Sequence, residues 1–117
     1  MSEHFTITPG PSQDRTSYLE LTGRLDAEAA HALRRRCAEL RERGCLRLAL
    51  DLSAVSFIAS SGVGTLLALT EEYRDAGGCL QLAALSQAVE SVVRLLNLQQ
   101  FLAISASRAE ALSALEA

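Results

Sequence analysis

The sequence predicts an α/β fold in which a mixed sheet of four to five strands carries about four helices, packed mainly on one face. Segments with an apolar period of two alternate along the chain with longer segments of helical period. Gly, Ser or Asp residues stand at most of the boundaries between them. The chain has 117 residues, about the length of one domain, so we expect 1–117 to form a single domain.

The first part of the chain predicts two strands and a helix. Residues 5–8 and 17–22 are short apolar strand candidates, separated by the turn-forming residues 9–12. Asp26 is a natural N-cap for the following helix, and Gly44 is a natural stop. The apolar positions of this helix recur at steps of three and four residues: Ala30, Leu33, Cys37 and Leu40.

The middle of the chain predicts a strand, a helix and a second strand. Leucines alternate with other residues over 46–52, which is typical of a strand. A helix is predicted from about 61 to 76 and ends at two glycines, and 79–84 is a short apolar strand. The predicted inward face of this helix is Val63, Leu66, Leu67, Thr70 and Tyr73.

The last part of the chain predicts a helix, a short strand and a final helix. Ser86 can cap the first of these helices and Asn97 can end it, and 101–104 is a short strand candidate. Ser107 and Glu110 have the spacing of a capping box at the start of the last helix. Strand–helix–strand units of this length normally pair their strands in parallel, with a right-handed crossover.

Composition excludes several classes of function. Aromatic residues are 4% of the chain, there is no Trp, and the net charge is −3, so a dedicated nucleic-acid binder is not expected. The three cysteines lack zinc or disulfide spacing, so we expect buried thiols in a reducing compartment. Residues 52–70 are uncharged, but their six Ser or Thr and two Gly residues argue against a membrane span. No secretory leader is recognisable, and we expect a cytoplasmic protein.

The most informative candidate site is the predicted turn and helix start at 57–64. Ser60 and Ser61 place two hydroxyls where free backbone N–H groups and the positive end of the helix dipole favour an anion. Phosphorylation of one serine would add about two negative charges there. The alternative is that one of the serines is simply the N-cap of the helix.

An enzyme is not expected from these residues. The chain has no GxSxG motif, and only His4 and His31 could serve a serine nucleophile as a base. Gly62-Val63-Gly64 is not followed by the GKS or GKT of a phosphate-binding loop. No cluster has metal-ligand spacing, so neither a metal nor a cofactor is expected.

Two stretches, LTGRLD at 21–26 and DLSAVSFIASSGVG at 51–64, resemble the signatures of STAS domains. Within that family the chain is most similar to the anti-sigma-factor antagonists of bacteria, proteins that regulate transcription without touching DNA. The likeness covers nearly the whole chain in length and element order. The second stretch is the specific part: a strand, an aromatic–aliphatic pair, Ser-Ser-Gly and a helix.

The resemblance implies a partner switch. The unphosphorylated domain would bind an ATP-dependent serine kinase that doubles as an anti-sigma factor, and phosphorylation would dissociate the complex until a metal-dependent serine phosphatase resets it. By motif position the phosphorylated residue is Ser60, with Ser61 as the alternative, and Asp26 lies near it. The residues implied in partner binding are Asp26, Ala59, Ser60, Ser61, Gly62 and Val63.

One residue departs from the family pattern. Family members usually carry Asp directly before the phosphorylated serine, and this chain has Ala59 there. A carboxylate at that place could orient the hydroxyl and would repel the attached phosphate, and Ala59 removes both effects. The alternative function is therefore a phosphorylation-independent STAS adaptor or scaffold subunit, in a stress complex or as an accessory subunit of a membrane lipid transporter.

Overall fold

One mixed sheet organises the computed structural model, which describes residues 4–10, 12 and 15–116. Within these residues the strands lie side by side in chain order, and only the first pair is antiparallel. The strands are β1 Thr6–Pro9, β2 Thr16–Leu25, β3 Arg47–Ile58, β4 Cys79–Ala83 and β5 Ile104–Ser105. The helices are α1 Ala27–Glu42, α2 Ser60–Asp75, α3 Gln87–Leu95 and α4 Arg108–Glu116. The predicted fold class is confirmed.

The main core lies between one face of the sheet and three helices, α1, α2 and α3. Alternate residues of the central strands point to this face, as the period of two requires. Leu50 of β3 is fully buried there, as are Leu33 of α1 and Leu69 of α2. Val89 and Val93 contribute the buried side of α3.

The opposite face of the sheet carries α4 alone. Ala111 and Leu115 of this helix pack on Tyr18, Ala49 and Ala83, which are the outward neighbours of the core leucines. The helices therefore lie mainly on one face of the sheet, as predicted. None of the helices in the described part of the chain combines the length and apolar character needed to cross a membrane.

A polar network secures α4 to the sheet. The Tyr18 hydroxyl donates to Asp51 Oδ2 at 2.6 Å, and Asp51 Oδ1 accepts from the backbone N–H of Ser53 at 2.9 Å. Arg108 of α4 lies over the Tyr18 ring at 4.8 Å and forms an ion pair with Glu20. Burial, together with the bond to Asp51, raises the pKa of Tyr18 to about 12.

This network predicts a loss of stability at high pH. An unfolded tyrosine titrates near pH 10 and Tyr18 in the fold at about 12, so its stabilising effect is complete below pH 10 and is lost as the pH rises towards 12. Tyr18→Phe should be less stable at pH 7 by about 1.5 kcal/mol, because the bond to Asp51 is lost. The variant should also lose less stability than the wild type between pH 10 and 12 in urea unfolding, whereas equal losses would contradict the assignment.

Strand β3 continues six residues beyond the predicted end at 52. It stays paired with β2 up to Leu25↔Ile58, so residues 57 and 58, predicted to be in a turn, belong to the strand. The pairing shifts register between Glu20 and Thr22 and again between Gly23 and Arg24. Such bulges interrupt the alternation of inward and outward side chains, which is why the period of two ended early in the sequence.

The predicted strand at 101–104 is wrong in its position. Only Ile104 and Ser105 pair with β4, opposite Leu82 and Ala83. Phe101 is 59% exposed and lies in a turn, so the apolar run at this place does not mark a buried strand.

The three cysteines are free thiols. Cys37 and Cys45 are buried as expected, whereas Cys79 is only half-buried. Burial raises the pKa of Cys37 to about 12.

Candidate functional site

The candidate site lies at the edge of the sheet where β2 and β3 end together. The two strands are parallel, and their last residues, Leu25 and Ile58, are directly paired. Asp26 follows one strand and Ala59 the other, and the Ala59 N–H donates to the Leu25 carbonyl at 3.0 Å. The starts of α1 and α2 therefore lie side by side, which brings together the two signature stretches of the sequence.

Asp26 caps α1. Its Oδ1 accepts from the backbone N–H of Ala29 at 3.0 Å, as the sequence predicted for an N-cap. The side chain is half-buried, and it lines a surface groove together with Arg24 and Glu28.

Helix α2 begins without a side-chain cap. Its N-cap is Ala59, and Ser60 is its first helical residue, so the interpretation of Ser60 or Ser61 as the cap is wrong. By contrast, side-chain oxygens cap α1, α3 and α4: those of Asp26, Ser86 and Ser107. Because Ala59 has no side-chain oxygen, no side-chain cap satisfies the first backbone N–H groups of α2.

Both hydroxyls are accessible to another molecule. Ser60 and Ser61 are exposed, and within the described residues neither hydroxyl has a hydrogen-bond partner. A phosphate on Ser60 would lie at the positive end of the helix dipole, near N–H groups that can donate to its oxygens. The start of α2 is therefore electrostatically favourable for an anion.

Gly62 positions the start of α2. An added Cβ at this buried glycine would lie 2.7 Å from the Leu25 carbonyl oxygen and 3.0 Å from Ile58 Cγ1, so only glycine permits this approach of helix to sheet. Among the six residues implied in partner binding, Gly62 is thus a packing residue and offers no surface of its own. Val63 is half-buried against the core, and Asp26, Ala59, Ser60 and Ser61 reach the surface.

Gly64 has no comparable packing role. It is exposed, and an added Cβ would meet none of the described atoms within 4 Å. A glycine inside a helix costs about 1 kcal/mol relative to alanine. The fold bears this cost without any contact that requires glycine.

The inward face of α2 is rotated relative to the prediction. Its buried residues are Gly62, Thr65, Leu66, Leu69 and Tyr73. Val63, Leu67 and Thr70, which were predicted to point inward, are only half-buried. The rotation follows from the contact of Gly62 with Leu25 of β2, because this contact turns Gly62, and not Val63, toward the sheet.

The sequence did not single out a stacked pair beside this site. The Arg24 guanidinium carbon lies 4.0 Å from the centroid of the Phe57 ring, and these residues are cross-strand partners directly before Leu25 and Ile58. Phe57 remains 37% exposed. The sequence did contain a signal for this pair, because both residues stand one position before a strand end in a signature stretch. Pairing the two strand ends brings the two residues together.

The two histidines lie outside the segment that holds the serines. His4 precedes β1 and His31 lies on α1, and both are exposed. Within the described ranges no group of three His, Cys, Asp or Glu residues could hold a metal ion.

Comparison with known proteins places this arrangement in a family. A family model described as STAS domain matches residues 11–111. An anti-sigma factor antagonist from Mycobacterium paratuberculosis has the same fold, with a TM-score of 0.84 and 24% identity over 97% of this chain and 96% of that one. The unphosphorylated anti-sigma factor antagonist SpoIIAA gives a TM-score of 0.79 at 21% identity, covering 95% and 96%. The Bacillus cell fate determinant SpoIIAA in its phosphorylated form gives 0.72 at 22%, covering 93% and 98%.

Proposed function

The chain belongs to the STAS domain family, and from this we propose that it is an anti-sigma-factor antagonist. In this proposal it is a binding module and not an enzyme, and it binds a serine-kinase anti-sigma factor. Phosphorylation of Ser60 releases that partner, and a serine phosphatase restores binding. Because the kinase uses ATP and the sigma factor acts on transcription, we place the protein in the cytoplasm.

One observation carries this proposal: Ser60 presents an exposed hydroxyl at the uncapped start of α2. The neighbouring Asp26 turn and the half-buried Val63 extend the surface around it. A partner that covers this surface must cover the hydroxyl, so a charge added there acts directly on binding.

The solved relatives support the proposal. They carry the name anti-sigma factor antagonist, and SpoIIAA has been solved in both unphosphorylated and phosphorylated forms. The fold that this chain shares is thus compatible with a phosphorylated member.

In the phosphoryl transfer from ATP, this chain contributes the Ser60 hydroxyl. The Ser60 Oγ would attack the γ-phosphorus of ATP, the hydroxyl proton would pass to a base of the kinase, and ADP would leave. The kinase supplies magnesium and most of the positioning, so Ala59 does not prevent the transfer. The phosphatase would add water to the phosphoserine, releasing inorganic phosphate and the free hydroxyl.

Phosphopeptide mass spectrometry tests the modified residue. The chain is incubated with ATP, magnesium and each serine-kinase anti-sigma factor encoded in its source genome. We expect one kinase to add a single phosphate to Ser60, and we expect Ser60→Ala to abolish it while Ser61→Ala retains it. Phosphate on Ser61 alone would assign the switch to Ser61 instead of Ser60. The absence of phosphate with every kinase would refute the phosphorylation switch.

Ala59 favours a second candidate function, a phosphorylation-independent adaptor. Such a subunit has no need of a carboxylate beside the serine, and it could serve in a multiprotein stress complex or beside a membrane lipid transporter. Genes next to this one discriminate the two functions: a kinase or sigma factor gene favours the partner switch, and transporter genes favour the adaptor.

A further inference from the structure

The outward face of α2 carries no charge over its first eleven residues, 60–70. Ser60, Gly64 and Leu67 follow one another on this face, since residues three and four apart share a side of a helix. Solvent-exposed helix faces normally carry charged side chains, whereas the centres of protein interfaces are depleted of them. This face therefore has the composition of an interface.

A groove of about 370 Å³ continues this face. Leu67, Leu98 and Phe101 form its apolar part, and Thr70, Glu71, Arg74 and Gln100 complete its lining. Phe101 is 59% exposed at its rim. Four of the five large apolar side chains that are exposed in the described residues lie between 95 and 104.

We propose that this groove, called here the Phe101 groove, and the outward face of α2 form one docking surface, and that an apolar side chain of the anti-sigma factor fills the groove. The proposal rests on the proposed function. A stable complex buries about 800 Å² on each partner. The 16 residues of α2 span about 24 Å, and Leu67 lies about 10 Å along the axis from Ser60. A partner of that footprint centred near Ser60 therefore reaches the groove.

Gly64 gains a role in this arrangement. It lies between Ser60 and the groove, and its missing side chain leaves helix backbone open at the surface. A partner can approach there more closely than over any other residue type. Glycine at position 64 lowers helix stability and makes no contact in the chain that requires it. A close contact with the partner in the complex would explain why it is there.

The same surface explains why a phosphate would act strongly. Ser60 lies at the end of the uncharged stretch 60–70 of α2, so a partner that covers it would have to exclude water from about two negative charges. The free domain keeps its phosphate in solvent at the helix start. The modification therefore weakens the complex and leaves the fold intact.

Titration of three variants tests the docking surface. The kinase-type anti-sigma factors of the source genome are titrated with wild type, Phe101→Ser, Gly64→Ala and the control Leu95→Ser, whose side chain is 83% exposed and lines no part of the groove. We expect Phe101→Ser and Gly64→Ala each to weaken binding about tenfold or more. Leu95→Ser should stay within about twofold of wild type.

Thermal unfolding of the same variants separates binding from stability. Gly64→Ala should raise Tm by about 4 °C while it weakens binding, because the new methyl group favours the helix and fills the space of the partner. If the wild type binds an anti-sigma factor and both variants bind equally well, the docking surface is wrong and the proposed function stands. If the wild type binds none of these proteins, the proposed function and this surface are both overturned.

Discussion

The variant Ser60→Asp is expected to bind the anti-sigma factor about 100-fold more weakly than Ser60→Asn, its neutral counterpart of the same size. Ser60 is exposed at the first helical position of α2, and residues 60–70 of this helix carry no charge. A single charge that is buried without a partner in an interface costs about 2–5 kcal/mol, and 2.7 kcal/mol corresponds to a factor of 100. Isothermal titration calorimetry measures the difference directly.

The loss should come from the complex and not from the fold. An acidic residue in the first turn of a helix stabilises it by about 0.3–1 kcal/mol, so Ser60→Asp should unfold at the same temperature as Ser60→Asn or slightly higher. Ser61→Asp provides the neighbouring control, since its side chain points about 100° away around the helix and should weaken binding less. Equal affinity of the Asp and Asn variants at position 60 would refute a switch that acts through charge.

The second large effect is expected at Gly62. An added Cβ would lie 2.7 Å from the Leu25 carbonyl oxygen, a backbone atom fixed within the sheet, and 3.0 Å from Ile58 Cγ1. Gly62→Ala must therefore push the start of α2 away from β2, at a cost of about 2 kcal/mol. The displacement also strains the bond from the Ala59 N–H to the same carbonyl.

Gly64→Ala is the matched control, two residues further along the same helix. It makes the same chemical change where nothing in the described residues lies within 4 Å of the new methyl group, so we expect it to stabilise the fold by up to about 1 kcal/mol. Urea unfolding of the two variants should therefore show opposite signs relative to wild type. A stabilising Gly62→Ala would mean that helix and sheet are not in the close contact described.

Much of the fold follows from local patterns in the sequence. Alternating leucines from 46 to 52 marked the central strand, and Asp26 and Ser86 marked helix starts where the structure has them. These signals depend on backbone conformation and on side chains a few residues apart, which a sequence displays directly. The signature stretch 51–64 likewise located the candidate site, because it contains both the strand end and the helix start.

Tertiary contacts decided what local patterns could not. Pairing with β2, including its bulges, carried β3 on to Ile58. Pairing of β5 with β4 begins at Ile104, which leaves Phe101 outside the strand. The length of β3 in turn made Ala59 the N-cap of α2 and left the hydroxyl of Ser60 open.

The sequence by itself determined the class of fold, the order of its elements and the segment that holds Ser60. Only the tertiary structure decided that Gly62 is buried against Leu25 and that Phe101 lies across a groove from Leu67. It also decided that Gly64 is exposed, with none of the described atoms within 4 Å of an added Cβ. The physical reason is distance along the chain. These contacts join residues more than thirty positions apart, and their energies depend on packing that no local pattern records.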